Sequence, residues 1–261
     1  QMAGSDTREV TVNRARDTNR LRRGASYAWR GFAIIRQPKI RAFVIIPLLI
    51  NMALFSLGLV CLAMGLNYVI DAFLPDWLDW LAFILWPIFA LASLVIVFYG
   101  FTILANLIAS PFNGLLAAAV ERHLTGQHAV VEFSWSAMGR EVLRTLGAEL
   151  RKLAYFLIWA LPCLLVFVIP GVNVIAAPLW FLFGAWMMAL EYIDCPLGNH
   201  GLAFPYVKNA LRGRRSLALG FGGTIMFMTM IPIVNFIAMP VAVAGATALY
   251  VEQLANDSTF V

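Results

Sequence analysis

Charge is scarce in this chain and missing altogether from four long stretches of it. Only 13% of the 261 residues are Asp, Glu, Lys or Arg, and 61% are hydrophobic. Soluble domains average about 25% charged residues. None of the four charged types occurs in residues 42–70, 80–120, 153–190 or 216–251. A bilayer crossing needs ~20 apolar residues, so each stretch is long enough to cross once, and the composition is that of an integral membrane protein. The same absence bears on energetics. Proton-coupled carriers usually hold an ionisable group at membrane depth. Here that role would fall to Glu121, Glu191, Asp194 or Glu252 at the ends of the stretches, which favours a passive path.

Other absences exclude other chemistries. Of the three cysteines, Cys61 and Cys163 lie within apolar stretches and Cys195 sits in a loop, so no disulfide framework is implied. Cys195 with His200 is far short of a zinc ligand set. No G-x-x-x-x-G-K-[ST] occurs, and "LGFGGT" at 219–224 is a small-residue packing stretch without a lysine. There is no HExxH and no legible Ser-His-Asp arrangement. The expectation is a non-enzyme with no metal, no cofactor and no nucleic-acid partner. Residues 1–24 are polar and arginine-rich without an apolar core, which reads as a disordered basic tail rather than a cleavable signal.

The cations that are present set an orientation. Ten of the nineteen Lys and Arg precede Ala42, five lie in 121–152, and the rest are Lys208, Arg212, Arg214 and Arg215. The segment "NYVIDAFLPDWLDW" holds Asp71, Asp76 and Asp79 and no cation. The positive-inside bias places the N-terminus and the linkers 121–152 and 191–215 in the cytoplasm. Two full spans follow, 42–66 outward and 81–108 back, with Tyr68, Trp77 and Trp80 as interfacial anchors between them. In "ASYAWRGFAIIRQP", Trp29 and Phe32 recur at helical spacing beside Arg30 and Arg36, which predicts a helix over 25–37 lying at the interface.

One phrase is written twice. "IPGVNVIAAP" begins at Ile169 and "IPIVNFIAMP" at Ile231, with seven of ten positions identical. Both flanks of each stretch fall on the cytoplasmic side, so each must turn back, and the phrase is the turn. From Leu153 to Ile169 is 17 residues, about 25 Å of helix, and neither turn carries charge. The reading is two re-entrant hairpins, 153–190 and 216–251, with tips at membrane depth. Pro170 and Pro232 would end the inbound helices, and Asn173 and Asn235 would cap the outbound ones. Irregular backbone at that depth must be buried in protein or line a watery cavity. The tips are therefore candidates for contact with a permeating anion, alongside the plainer role of satisfying their own turns. The C-terminal 254–261 reads as a tail.

Three further motifs carry candidates. In "QPKIRAF", Pro38 suits a first helical turn, and Lys39 and Arg41 lie beside free backbone N–H groups, a combination that fits an anion site or an ordinary membrane anchor. In "ASPFNGLL", Ser110 is an N-cap candidate with Pro111 after it and Asn113 close by, a capped kink or a constriction. "YIDCPLGNHGLAF" supplies Asp194, Asn199 and His200 at the base of the first hairpin, a loop-ordering network or a site, and Glu121, Asp194 and His200 are the candidates for a cytoplasmic rim.

The stretches "QPKIRAFVIIPLLIN", "PDWLDWLAFILWP", "SPFNGLLAAAVE", "YIDCPLGNH" and "MIPIVNFIAMPVAVAGATAL" resemble the CysZ family of bacterial sulfate permeases, in order over residues 25–253. The resemblance implies an all-α integral membrane fold with two full transmembrane helices and two half-penetrating hairpins. It implies an inner-membrane homo-oligomer, hexamers being described, that admits sulfate for cysteine assimilation, with sulfite and other oxyanions left open. Relatives often read P-x-[IL]-R-R-F, whose arginine pair is proposed to bind sulfate. Arg41 matches the first arginine and Ala42 replaces the second, which leaves Lys39 as the alternative cation. Ala118 likewise stands where relatives often carry an acid, while Glu121 is retained. The competing function is a non-transporting scaffold for a separate permease.

Overall fold

Backbone N–H and C=O groups without water to bond must bond each other within one segment, and long uncharged runs therefore fold as helices. The computed structural model describes residues 3–73, 84, 86–88, 90–92, 94–95, 112–126 and 135–255, and all regular structure among them is helical. The helices are α1 (Ala3–Ile35), α2 (Pro38–Phe73), α3 (residues 112–125), α4 (Trp135–Val168), α5 (Ala176–Asn199), α6 (Phe204–Arg212), α7 (Arg215–Thr229) and α8 (Pro232–Leu249). Among the described residues, Arg41–Leu62, Leu150–Val168, Asn173–Asn199 and Pro232–Leu254 are long and apolar enough to cross a membrane. Most of the expected span 81–108 lies outside the described residues; those described between 84 and 95 are helical.

The chain divides into two units, residues 42–112 and residues 1–41 with 113–261. In the former, α2 continues through Pro47 without a break, and Leu49, Met52, Val60 and Met64 are exposed, as lipid-facing side chains are. In the latter, α1 packs along α7 and α8, α5 packs against α7 and α8, and α4 packs against α5. The second half of α8, from Val241 to Leu249, is buried throughout and forms the centre of that unit.

Glycine decides how close these helices come. A Cβ on Gly220 would lie 2.1 Å from the Leu21 carbonyl oxygen of α1, and one on Gly222 would lie 1.8 Å from that of Ala185 in α5. Gly24 and Gly31 of α1 make the matching approaches to Leu217 and Val241. Without a hydrophobic drive between helices in lipid, close backbone contact through small residues is what holds them. The packing role expected of "LGFGGT" is thus observed. The expectation of a disordered tail over 1–24 is corrected: α1 begins at Ala3, and Leu21 and Gly24 seat against α7. The described parts of the expected linkers are also largely helical. α4 runs from Trp135 straight through Lys152, and α5 continues beyond Leu190 to Asn199.

The two copies of the repeated phrase fold differently. In the first, α4 ends at Val168, Gly171 takes φ +82°, and a short 3₁₀ turn, Asn173–Ile175, leads into α5. The equivalent of Gly171 is Ile233, and a β-branched residue pays heavily for positive φ. The second copy therefore enters α8 directly: Ile231 is extended at φ −93°, ψ 111°, and Pro232 is the first helical residue. This corrects the capping roles given to Asn173 and Asn235. Val172 and Ile231 precede the two segments, and neither segment has a side-chain cap. Proline favours the first helical position, so it starts α8 three residues before Asn235, whose own N–H donates to the Ile231 carbonyl at 2.8 Å.

Candidate functional site

Polar side chains gather at one end of the larger unit, where α3, α5 and the end of α8 meet. α3 buries Leu116, Ala117, Ala118 and Val120, which leaves Asn113 and Glu121 on its flanks. A carboxylate at position 118 would be buried, and the alanine there fits its surroundings. α5 stops at a glycine: Gly201 has φ +72°, its N–H bonds the Gly198 carbonyl at 2.9 Å, and Leu202 N–H bonds that of Leu197 at 3.1 Å. This is the double bond of a left-handed C-terminal cap. It holds His200 at the helix end, where Nε2 lies 2.9 and 3.1 Å from the two carboxylate oxygens of Glu121. The Tyr250 ring sits 5.3 Å from that of His200, and Asn199 Nδ2 donates to the Gly114 carbonyl at 2.8 Å. Side chains from three distant parts of the sequence thus tie α3 to α5 and to the end of α8.

Asn113 reaches along α8 as well, with Nδ2 at 3.6 Å from Met239 Sδ. Met239 is one turn beyond Asn235, and residues four apart lie on one helix face. Asn113, from α3, thus touches the face of α8 that carries Asn235 one turn earlier. Asn173 and Asn235 are both exposed, at tips whose neighbours are apolar and bare: Val174 is 79% and Ile233 84% exposed. Lys39 and Arg41 flank the buried Ile40 at the start of α2 and are themselves exposed. The N–H groups of Ile40 and Arg41 both donate to the Gln37 carbonyl at 2.9 Å. The backbone donors beside the cations are therefore partly used already. Ser110 lies outside the described residues.

Two constellations were not legible as pairs in the sequence. Lys152, buried at 7% exposure, places Nζ 2.6 Å from Asp194 Oδ2 and 3.5 Å from Glu191 Oε2. This assigns Asp194 to a bond between α4 and α5, apart from the His200–Glu121 pair. A second clamp joins α1 to the end of α8: Arg30 pairs with Glu252 Oε1, and Tyr27 donates its hydroxyl to Oε2 at 3.0 Å. A π-turn over Tyr250–Leu254 separates the directions of Tyr250, toward His200, and Glu252, toward α1. Such turns often occur at functional sites.

Burial first, and the Glu252 hydrogen bond next, push the Tyr27 phenol above its usual pKa of 10.0. Because the folded value is the higher one, this stabilisation is complete below the unfolded value and is lost as pH rises through the folded value. Tyr27→Phe is expected to cost about 1 kcal/mol at neutral pH. That cost should vanish under strongly alkaline conditions, as read from paired melts in detergent at both pH values.

Comparison with known proteins adds the following. Residues 27–240 match the family model described as Sulfate transporter CysZ/Etoposide-induced protein 2.4. The chain is 45% identical over 233 residues to a protein of Pseudomonas aeruginosa named Sulfate transporter CysZ, which covers 88% of this chain and 95% of that one. It is 44% identical over 236 residues to the protein of that name from Vibrio cholerae, covering 89% and 94% of the two chains. With that of Pectobacterium atrosepticum it is 41% identical over 241 residues, covering 91% and 87%.

Proposed function

The chain belongs to the sulfate transporter CysZ/etoposide-induced protein 2.4 family, and on that footing we propose that it conducts sulfate passively through a bacterial inner membrane. The observation that carries the reading is the 45% identity to a named sulfate transporter over nearly the whole of both chains. The absence of charge from the four apolar stretches supports a path without an intramembrane proton acceptor.

Lengths and exposure support the re-entrant reading of the hairpins. α7 has 15 residues, about 22 Å of helix, against a hydrocarbon core of ~30 Å. Its partner α8 keeps apolar side chains exposed at the tip and buries its other end. The hairpins then enter from the side that holds the polar cluster, which is cytoplasmic by the positive-inside bias. Sulfate is drawn by Arg41 and Lys39 and passes Asn113 and Asn235, with Asn173 at the other tip. Glu121 and His200 form a rim that ties the three helices together. Several weak donors suit conduction better than one tight site, because the ion must leave as well as bind. The homo-oligomer belongs to the same proposal.

The test is uptake of radiolabelled sulfate into sealed liposomes containing only this protein, without ATP or a pH gradient. Equilibration of sulfate, blocked by a competing oxyanion, is the expected result. Arg41→Ala should weaken sulfate binding about tenfold, the scale of one hydrogen bond to a charged group, with circular dichroism unchanged. Equal binding by titration would remove Arg41 from the path. A protein that gives no uptake under either neutral or imposed proton gradients would instead be the accessory subunit of another permease.

A further inference from the structure

We propose that the outward face of α1 is a docking surface for anionic phospholipid headgroups. Gly24, Tyr27, Ala28, Gly31 and Ile34 are buried against α7 and α8, which turns the opposite face of α1 outward. Arg22, Trp29 and Arg36 recur every seventh residue, about two helical turns apart, and so share one line on that face, with Arg36 just past the last turn. All three are exposed. Trp29 is 62% exposed and stacks on Phe32, the ring centroids 5.8 Å apart and the planes at 23°.

Among the described residues of α1, that face carries no compensating acid. Asp17 is the one carboxylate within residues 16–36, and its Oδ1 accepts a hydrogen bond from the Ser216 hydroxyl at 2.9 Å, on the side packed against α7. Arg30 is engaged by Glu252 and does not belong to the line. What remains is two arginines on either side of an exposed aromatic stack. Guanidinium groups bond phosphate in a planar, two-pronged fashion, and aromatic rings favour the boundary between headgroups and acyl chains. A free, hydrated oxyanion would gain nothing from the Trp29–Phe32 stack. A lipid headgroup satisfies both chemistries at once, so charge complementarity and the apolar stack together select the lipid. The inference does not depend on which ion passes through the protein.

Native mass spectrometry of the full chain in detergent, titrated with dioleoylphosphatidylglycerol or dioleoylphosphatidylcholine, tests it. The expected result is preferential binding of phosphatidylglycerol, weakened about 25-fold in the double variant Arg22→Gln/Arg36→Gln, at roughly fivefold for each cation lost near an anionic surface. Arg22→Lys/Arg36→Lys should bind between the wild type and the glutamine variant, keeping the charge but losing the two-pronged bond, and both variants should melt as the wild type does because the side chains are exposed. Wild-type phosphatidylglycerol binding by the glutamine variant would overturn the proposal. So would displacement of the lipid by inorganic phosphate at equal concentration, which would assign the arginines to free oxyanions.

Discussion

Gly222→Val should abolish the folded state of the larger unit, seen as loss of the monodisperse peak in detergent and of cooperative melting. A Cβ at this position would lie 1.8 Å from the Ala185 carbonyl oxygen and 2.9 Å from the Ala189 nitrogen, both of them backbone atoms that cannot swing aside. α5 and α7 would have to part by about 1.5 Å to restore ordinary contact distances. Overpacking in a core costs about 1–3 kcal/mol when side chains can yield, and here they cannot. The gain in helix propensity on replacing glycine, at most about 1 kcal/mol, does not offset a clash of that size. Since α5 carries His200 and α7 seats α1, separating them also dismantles the polar end of the molecule. Gly65→Ala is the control. Nothing lies within 4 Å of its Cβ position, and the variant should fold as the wild type does.

Lys152→Met should destabilise the protein by about 3–5 kcal/mol, the scale for breaking a buried ion pair from one side. The ammonium is buried and sits 2.6 Å from Asp194, with Glu191 at 3.5 Å. Methionine fills a similar volume, so the loss reports the charge rather than a cavity. The two carboxylates, three residues apart on α5, are then left without the cation of α4 that they share. Asp194→Asn in the same chain should recover part of the loss, because the group left behind is neutral and still able to bond. Chemical or thermal melts of the single and double variants measure both steps. An unchanged midpoint in Lys152→Met would mean that the pair is solvated and contributes nothing. If the cluster only fastens the first hairpin, sulfate uptake per folded molecule should survive in the double variant.

Much of the helical framework was legible because it depends on local properties of the chain. Charge-free length specifies a membrane helix wherever it occurs, and the described parts of all four uncharged stretches are helical apart from the turns at the repeated phrase. Pro232 was expected to end the inbound helix, and α7 stops at Thr229 just before it; that it also starts α8 follows from a ring that has no N–H to satisfy and holds φ near its helical value. The glycines of "LGFGGT" pointed to close packing for the same kind of reason, an absent side chain. Even so, the repeated phrase misled about its asparagines. One differing residue, Gly171 against Ile233, decides whether the backbone can turn left-handed, and with it where each outbound helix begins.

The pairings belong to the tertiary structure alone. Glu121 and His200 are 79 residues apart, and Arg30 and Glu252 are 222 apart. Nothing periodic in the sequence reports such distances. Asp194 could have faced His200 or Lys152 equally well on sequence grounds, and the packing of α4 on α5 gave it to Lys152. The N-terminal helix shows the same limit in reverse. Its arginines suggested a solvated tail, yet its glycines let it lie against α7 and α8. Composition and hydropathy thus determined that this is a helical membrane protein and that it turns within the repeated phrase. Which polar groups meet was decided by how closely the helices can approach, and that depends on side chains missing from both partners at once.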